Sequence, residues 1–193
     1  PQGTDSFQAK NPARKASLPE KYPIATAEDR EVVLQAANEA VEKLRRVSPE
    51  TIAAFLESYA DEIEKIKDEL VDRAHLETAL PKQPRLADVE LPRTTNQLRQ
   101  GAKAVRDGSW CQATIDTASG IRSKLGAIGG AVVIFGPNNF PYAFNACSGG
   151  DFVAAIAAGN PVIAKAHPGQ PGTCELLAQA AFAAVQTTGM PAS

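Results

Sequence analysis

The sequence lacks the features of a membrane-spanning, secreted or nucleic-acid-binding chain. No apolar run approaches the ~18 residues that cross a bilayer, and the polar first residues show no signal-peptide pattern. The formal net charge is −2 and no basic run occurs, whereas proteins that bind nucleic acid neutralise phosphates with clustered cations. We therefore expect neither a membrane nor a nucleic-acid partner.

Cysteine, histidine and glycine-rich signatures are also scarce. Cys111, Cys147 and Cys174 are widely spaced and form neither a CxxC pair nor an even disulfide framework, which favours the cytoplasm. His75 and His167 lie far apart and near no cysteine pair, so we expect no metal site. No G-x-G-x-x-G and no Walker A loop occurs, so the standard Rossmann fingerprint is absent.

The first two-thirds of the chain has helical periodicity. Residues 1–25 are polar and punctuated by proline, which indicates an extended segment with room for a short hairpin. Thr26 is a good N-cap for a first helix, and Ser48-Pro49 begins a second helix that we expect to run to about Thr78. A further helix is predicted from about Thr94 to Arg106, and weaker alternation over residues 110–128 indicates a β-hairpin.

The character of the sequence changes at residue 130. Residues 131–135 are apolar and β-branched, which suits a strand buried on both faces. After a tight loop over 136–141, a helix is expected to about Ala158, with Gly149 and Gly150 in its interior. A second buried strand over 161–165 and a helix over 171–187 complete a β-α-β-α pattern, as parallel strands require.

The predicted fold is α/β: N-terminal helices followed by the first βαβα units of a Rossmann-like, doubly wound parallel sheet. A two-stranded sheet is too small to hide its edges, so we interpret the fold as truncated. The expected organisation is an N-terminal helical part over 1–110, a hairpin over 111–129 and the βαβα units over 130–193.

Two loops carry the candidate chemistry, because ligands of open α/β sheets bind at the carboxyl ends of the strands. Asn138 and Asn139 follow the first strand, where a side-chain amide could stabilise an oxyanion or merely cap the helix and fill the turn. Lys165 ends the second strand, where it could meet phosphate or ribose or simply be solvated. His167 and Pro168 share its loop, and a lone histidine is more often structural.

Short motifs recur in order along nearly the whole chain: Glu77-Thr78-Ala79-Leu80-Pro81, Val133-Ile134-Phe135-Gly136-Pro137-Asn138-Asn139-Phe140-Pro141, Gly159-Asn160-Pro161-Val162-Ile163-Ala164-Lys165, Pro171-Gly172-Thr173 and Gly189-Met190-Pro191. Together they resemble the aldehyde dehydrogenase superfamily. Three more segments resemble one subgroup in particular: Arg93-Thr94-Thr95-Asn96-Gln97-Leu98-Arg99, Gly149-Gly150-Asp151 and Lys165-Ala166-His167-Pro168. That subgroup oxidises 2-oxoglutarate semialdehyde (2,5-dioxopentanoate) and related aldehydes, often with NADP.

The resemblance implies a role for each matching residue. Asn139 would donate its side-chain amide to the oxyanion of the thiohemiacetal. Lys165 would bind the adenosine ribose, or the 2′-phosphate of NADP. The cofactor site would also include Phe135, Gly136, Pro137, Asn138, His167 and Pro168. Pro168 stands where NAD-preferring relatives often carry an acid, which favours NADP, or use of both NADP and NAD.

The sequence also departs from the family pattern. No cysteine lies in the Gly-Gln-x-Cys context of the family nucleophile, and no Glu-Leu-Gly-Gly glutamate occurs. The resemblance therefore implies the N-terminal part of an NAD(P)-dependent enzyme that oxidises a small aldehyde, with a homodimeric or homotetrameric parent and no activity in the 193 residues alone. The alternatives are a stand-alone module that binds nucleotide or a partner, and a structural piece that serves oligomer contact.

Overall fold

The computed structural model describes residues 3–192; Pro1, Gln2 and Ser193, the ends of the predicted ranges 1–110 and 130–193, lie outside the described residues. The strands, in chain order, are β1 (Ser6–Asn11), β2 (Ala16–Pro23), β3 (Thr114–Asp116), β4 (Ile121–Ser123), β5 (Val132–Phe135) and β6 (Val162–Lys165). The helices are α1 (Ala27–Leu44), α2 (Pro49–Lys65), α3 (Lys67–Thr78), α4 (Leu91–Asp107), α5 (Gly150–Ala157) and α6 (Pro171–Thr188). An irregular helical turn over Lys82–Glu90 joins α3 to α4.

Local sequence signals place the two hairpins and the first helix correctly. β1 pairs antiparallel with β2, and β3 with β4. Thr26 caps α1, as predicted: its hydroxyl accepts the backbone N–H of Asp29 at 3.1 Å, and the Asp29 carboxylate accepts the backbone N–H of Thr26 at 2.9 Å. This reciprocal arrangement satisfies an amide that the helix leaves unpaired and fixes where α1 begins.

The prediction of one helix from Pro49 to Thr78 is wrong. The backbone leaves helical geometry at Ile66, with φ −102° and ψ 19°, and α3 begins at the next residue. The break lets α2 pack on α4 and α6 while α3 packs on α6 and β1. No proline or glycine marks this position, so the cause is tertiary packing rather than a local signal.

One hydrophobic core joins the helical part to the βαβα units. Leu56 and Tyr59 of α2, Leu98 of α4 and Leu177 of α6 are all fully buried within it. The Tyr59 hydroxyl donates to the carbonyls of Cys147 and Leu177, each at 3.0 Å. The core therefore positions the loop after β5 and the helix after β6 against the same helical base.

β5 and β6 form the expected parallel pair, with Phe135 opposite Lys165 at their carboxyl ends. The prediction that the first of these strands is buried on both faces is wrong. Ile134 is buried, but Val133 is 49% exposed and Phe135 is 74% exposed. The elements in residues 3–192 cover one face of β5 and leave the side chains on the other face largely uncovered.

The helix predicted directly after the 136–141 loop begins later. Residues up to 148 form a series of turns, Gly149 is the N-cap residue and α5 begins at Gly150. Gly149 and Gly150 therefore lie at the start of the helix and not in its interior. The backbone is compact here, since a Cβ at Gly149 would lie 2.6 Å from the Cα of Phe144.

Candidate functional site

Two loops meet at the carboxyl ends of β5 and β6. Because the strands are adjacent and parallel, the loop after Phe135 and the loop after Lys165 leave the sheet at the same edge. Gln170 donates its side-chain amide to the carbonyl of Pro137 at 3.0 Å. A Cβ at Gly169 would lie 3.0 Å from Oδ1 of Asn138. The Asn138 side chain therefore packs directly on the loop that follows Lys165. Residues far apart in the sequence thus form one surface.

The predicted site residues differ in their exposure on this surface. The exposed ones are Phe135, Pro137, Asn139, Lys165 and Pro168, and the half-buried ones are Gly136, Asn138 and His167. All of them lie in the two loops or at the strand ends that lead into them. The structure therefore brings the predicted residues together, while their chemical roles stay predictions.

Gly136 has a packing reason to be glycine. A Cβ there would lie 2.7 Å from the backbone nitrogen of Ala146 and 2.9 Å from the carbonyl oxygen of Phe144. These are backbone atoms that cannot give way without moving the loop. The missing side chain thus lets the loop fold back against residues 144–146 and sets the direction in which it leaves β5.

Asn138 and His167 occupy different polar environments. Oδ1 of Asn138 is buried and has no hydrogen-bond partner among the described residues, which is an unusual state for a buried acceptor. Nδ1 of His167 accepts the backbone N–H of Gly169 at 3.0 Å. Burial and the nearby Lys165 charge lower the pKa of His167. His167 therefore acts as a neutral acceptor that shapes its turn, whereas Asn138 has an acceptor free for a ligand.

A buried acid and an arginine, neither singled out from the sequence, hold the Asn139 loop. The Glu90 carboxylate, 1% exposed, accepts the backbone N–H groups of Tyr142 at 2.9 Å and Ala143 at 3.1 Å and forms an ion pair with Arg85. Arg85 also donates from Nη2 to the carbonyl of Asn139 at 2.9 Å, and its Cζ lies 4.5 Å from the centre of the Phe140 ring. Arg85 and Glu90 together hold the backbone before Phe140, at the Asn139 carbonyl, and after it, at the N–H groups of Tyr142 and Ala143.

Comparison with known proteins identifies the family. The model of the aldehyde dehydrogenase family matches residues 1–193.

The chain belongs to the aldehyde dehydrogenase family.

Two curated relatives share the predicted subgroup name. The chain is 45% identical to alpha-ketoglutaric semialdehyde dehydrogenase 2 of Azospirillum brasilense over 179 residues, which is 89% of this chain and 34% of that protein. It is 39% identical to the alpha-ketoglutaric semialdehyde dehydrogenase of Acinetobacter baylyi over 175 residues, 86% of this chain and 33% of that protein. The chain thus spans about a third of the length of these relatives, and the predicted resemblance is confirmed.

A solved structure shows the same fold. The glyceraldehyde-3-phosphate dehydrogenase of Methanocaldococcus jannaschii, solved in complex with NADP, superposes with a TM-score of 0.82 at 19% identity. The match covers 97% of this chain and 40% of that one. The predicted α/β class is therefore confirmed.

The Glu77-Thr78-Ala79-Leu80-Pro81 turn of this aldehyde dehydrogenase chain also has a structural explanation. Glu77, 1% exposed, accepts the backbone N–H groups of Gly172 and Thr173 and the Thr173 hydroxyl, at 2.7 to 2.9 Å. Burial raises the pKa of Glu77, and the bonds from Thr173 and Gly172 oppose that rise. Glu77 thus caps α6 from the end of α3 and joins the helical part to the second loop.

Asn145, Cys147 and Cys174 form a buried network beneath the Asn139 loop. The Asn145 amide donates to the carbonyl of Pro141, to the Gln170 side chain and to the sulfur of Cys174, at 2.9 to 3.2 Å. The contact with Cys174 and burial raise the pKa of the Cys147 thiol, while the bond from Cys147 lowers the pKa of Cys174. Both cysteines are at most 9% exposed, so neither thiol is open to solvent.

In residues 3–192, no helix is long and apolar enough to cross a membrane. Within the same range, no group of three or more histidine, cysteine, aspartate or glutamate side chains could hold a metal ion. The cytoplasmic location stays a prediction.

Proposed function

We propose that this chain is the N-terminal part of an NAD(P)-dependent aldehyde dehydrogenase that oxidises a semialdehyde, such as 2-oxoglutarate semialdehyde, to the carboxylate. The observation that carries the proposal is the meeting of the Asn139 loop and Lys165 at the carboxyl edge of one parallel strand pair. The names of the two curated relatives support the substrate class.

Asn139 is the residue of this chain that takes part in the chemistry. A thiolate adds to the aldehyde carbon, the carbonyl oxygen becomes an oxyanion, and the Asn139 amide donates a hydrogen bond to it. The side chain is exposed while the backbone is held by Arg85, so the backbone that carries the donor is held in place before substrate arrives. The cysteine that supplies the thiolate and the glutamate that activates water are not among the 193 residues.

The edge of the strand pair suits the cofactor. An NAD(P) cofactor, when bound, supplies the hydride acceptor. Lys165 is an exposed cation in position to bind a ribose or a phosphate, and the unpaired Oδ1 of Asn138 can accept a hydrogen bond. The exposed Phe135, with Gly136 and Pro137, would line the channel. His167 would contribute through the shape of its turn.

The cofactor preference follows from Pro168. An acid at this position would bind both ribose hydroxyls and repel a 2′-phosphate, and proline does neither. Lys165, three positions earlier, would then attract the 2′-phosphate. The proposal is therefore NADP, with NAD as a second cofactor.

The β3–β4 hairpin is proposed as part of the arm through which two copies associate. Ile115 and Ile121 in the hairpin are 71% and 60% exposed. Leu125 and Ile128, which follow it, are 53% and 72% exposed. Exposed apolar side chains on an extended hairpin favour contact with another chain. The proposed assembly is a homodimer or a homotetramer.

The test uses the full-length enzyme and the substitution Asn139→Ala. We expect the unsubstituted enzyme to reduce NADP in the presence of 2-oxoglutarate semialdehyde. Removal of one oxyanion donor should lower kcat by about 10²- to 10³-fold. Asn96→Ala, an exposed asparagine on α4, is the matched control and should leave kcat unchanged. Absence of aldehyde-dependent NAD(P)H formation by the unsubstituted enzyme would refute the proposed function.

A further inference from the structure

The three arginines of α4 have different surroundings. Arg99 pairs with two carboxylates of α2, Asp61 and Glu64, and Arg106 pairs with two others, Glu50 and Glu57. Arg93 has no carboxylate partner anywhere in residues 3–192. Its guanidinium instead lies over the ring of Phe144, with Cζ 5.1 Å from the ring centre. Its charge is therefore available to a ligand.

Ion pairing within the described residues does not explain this arginine. Arg93 lies near the start of α4, directly after Pro92, and the chain is already helical before it, because Glu90 has right-handed helical dihedrals. The first turn of α4 contains no acidic residue. Arg93 is exposed, and Phe144 beneath it is 40% exposed. A cation and an aromatic ring are thus presented together to the outside of the described part of the chain.

The aromatic contacts lead from Arg93 to the proposed oxyanion donor. The Phe144 and Phe140 rings pack edge to face, with centres 5.1 Å apart, and Phe140 directly follows Asn139. Two contacts of 5.1 Å each therefore separate the Arg93 guanidinium from the Phe140 ring. Arg85, the other arginine at this aromatic pair, is already engaged by Glu90 and by the Asn139 carbonyl.

We propose that Arg93 binds the carboxylate at the far end of the substrate and so selects aldehydes that carry an acid group. The inference rests on the proposed function, because it assumes that the aldehyde reacts beside Asn139. A planar guanidinium can bind a carboxylate through two parallel hydrogen bonds. Phe140 and Phe144 would pack along the carbon chain between the two ends. Arg93 is thus a specificity-determining residue of the aldehyde site.

The test compares two aldehydes of equal length in the full-length enzyme, 5-oxopentanoate with a carboxylate and pentanal without one. Arg93→Met keeps a long side chain over Phe144 but removes the charge. We expect it to lower kcat/KM for 5-oxopentanoate by about 10- to 100-fold, mainly through KM, and to leave pentanal unchanged. For Arg93→Lys, kcat/KM for 5-oxopentanoate should lie between the values of the unsubstituted enzyme and Arg93→Met. The lysine ammonium keeps the charge but cannot form two parallel hydrogen bonds to the carboxylate.

A binding measurement gives a second readout that does not depend on turnover. Glutarate should bind the unsubstituted enzyme in calorimetry and should bind Arg93→Met at least about tenfold more weakly. Arg99→Met is the matched control, since it removes the same charge from the same helix and should leave the preference for 5-oxopentanoate over pentanal intact.

Two results would overturn the inference while the proposed function stands: equal losses for both aldehydes in Arg93→Met, or unchanged glutarate binding in that variant. An unsubstituted enzyme that oxidises neither these two aldehydes nor 2-oxoglutarate semialdehyde would instead remove the proposed function and this inference with it.

Discussion

At the scale of single residues, the position of the Asn139 backbone depends on residues far from it in the chain. Arg85, which donates to the Asn139 carbonyl, lies 54 positions earlier. Glu90 holds Arg85 and also accepts the backbone N–H groups of Tyr142 and Ala143. An exposed side chain on a loop thus has a fixed backbone, which an oxyanion donor needs in order to act without reorganisation.

The substitution Arg85→Lys tests this positioning role. Lysine keeps a positive charge opposite the buried Glu90. It lacks the two guanidinium nitrogens with which Arg85 bonds to Glu90 and to the Asn139 carbonyl at the same time. We expect kcat of the full-length enzyme to fall roughly tenfold, with KM for the cofactor little changed. The measurement is steady-state kinetics together with the thermal unfolding midpoint.

Arg106→Lys is the control for that experiment, because Arg106 also bridges two carboxylates but does so on the surface between α4 and α2. It should leave kcat unchanged. If Arg85→Lys has full activity, the bond to the Asn139 carbonyl does not position the donor.

At the scale of elements, the segment between β5 and α5 is the part that carries the site. Apolar and small residues over 142–148 suggest a helix, yet the chain forms turns there until Gly149. Asn145 explains the difference, because its side chain bonds to the Pro141 carbonyl, to Gln170 and to the backbone N–H of Cys147. These bonds offer the backbone an alternative to a helix.

Gly149→Ala tests the packing of these turns. The backbone of Gly149 is extended, with φ −73° and ψ 177°, so alanine suffers no dihedral strain there. Its Cβ would, however, lie 2.6 Å from the Cα of Phe144 and 2.8 Å from the carbonyl oxygen of Asn145. We expect a loss of about 1 to 3 kcal/mol in stability, visible as a lower thermal unfolding midpoint of the full-length enzyme.

Gly126→Ala provides the comparison, because nothing lies within 4 Å of a Cβ at that position. The two substitutions change the same atoms in the unfolded chain. An equal midpoint for both variants would mean that the turns before α5 yield easily and do not hold the loop rigidly.

At the scale of the whole molecule, a single core supports a surface that is only partly covered. The helical base, α5 and α6 share one hydrophobic cluster, whereas Phe135 of β5 is 74% exposed and Phe182 of α6 is 60% exposed. The chain also spans about a third of the length of the curated relatives. In the proposed enzyme, the nucleophile and the general base would lie outside these 193 residues.

The purified 193-residue chain should therefore show no dehydrogenase turnover and should bind cofactor weakly. Cys147 and Cys174 are buried beneath the Asn139 loop and Cys111 follows α4, so no thiolate of the chain is available at the site. The measurement is the absorbance of reduced nicotinamide after mixing chain, NADP and 2-oxoglutarate semialdehyde, with the full-length enzyme as positive control. Aldehyde-dependent NADPH production by the chain alone would contradict this prediction.

The sequence by itself determined the features that depend on neighbouring residues. The cap at Thr26, the two antiparallel hairpins and the parallel order of β5 and β6 follow from local hydrogen-bonding groups, turn residues and apolar periodicity. The motifs around Asn139 and Lys165 were sufficient to predict the family and to locate both loops at one edge of the sheet.

Only the tertiary structure decided the features that depend on contacts between distant residues. The break at Ile66 and the open face of β5 have no local signal, and the late start of α5 at Gly150 depends in part on the bond from Asn145 to the distant Gln170. The same holds for the support of Asn139 by Arg85 and Glu90. The physical reason is that burial and hydrogen bonding of a polar group depend on what the whole chain packs around it, and that environment forms only when distant segments meet.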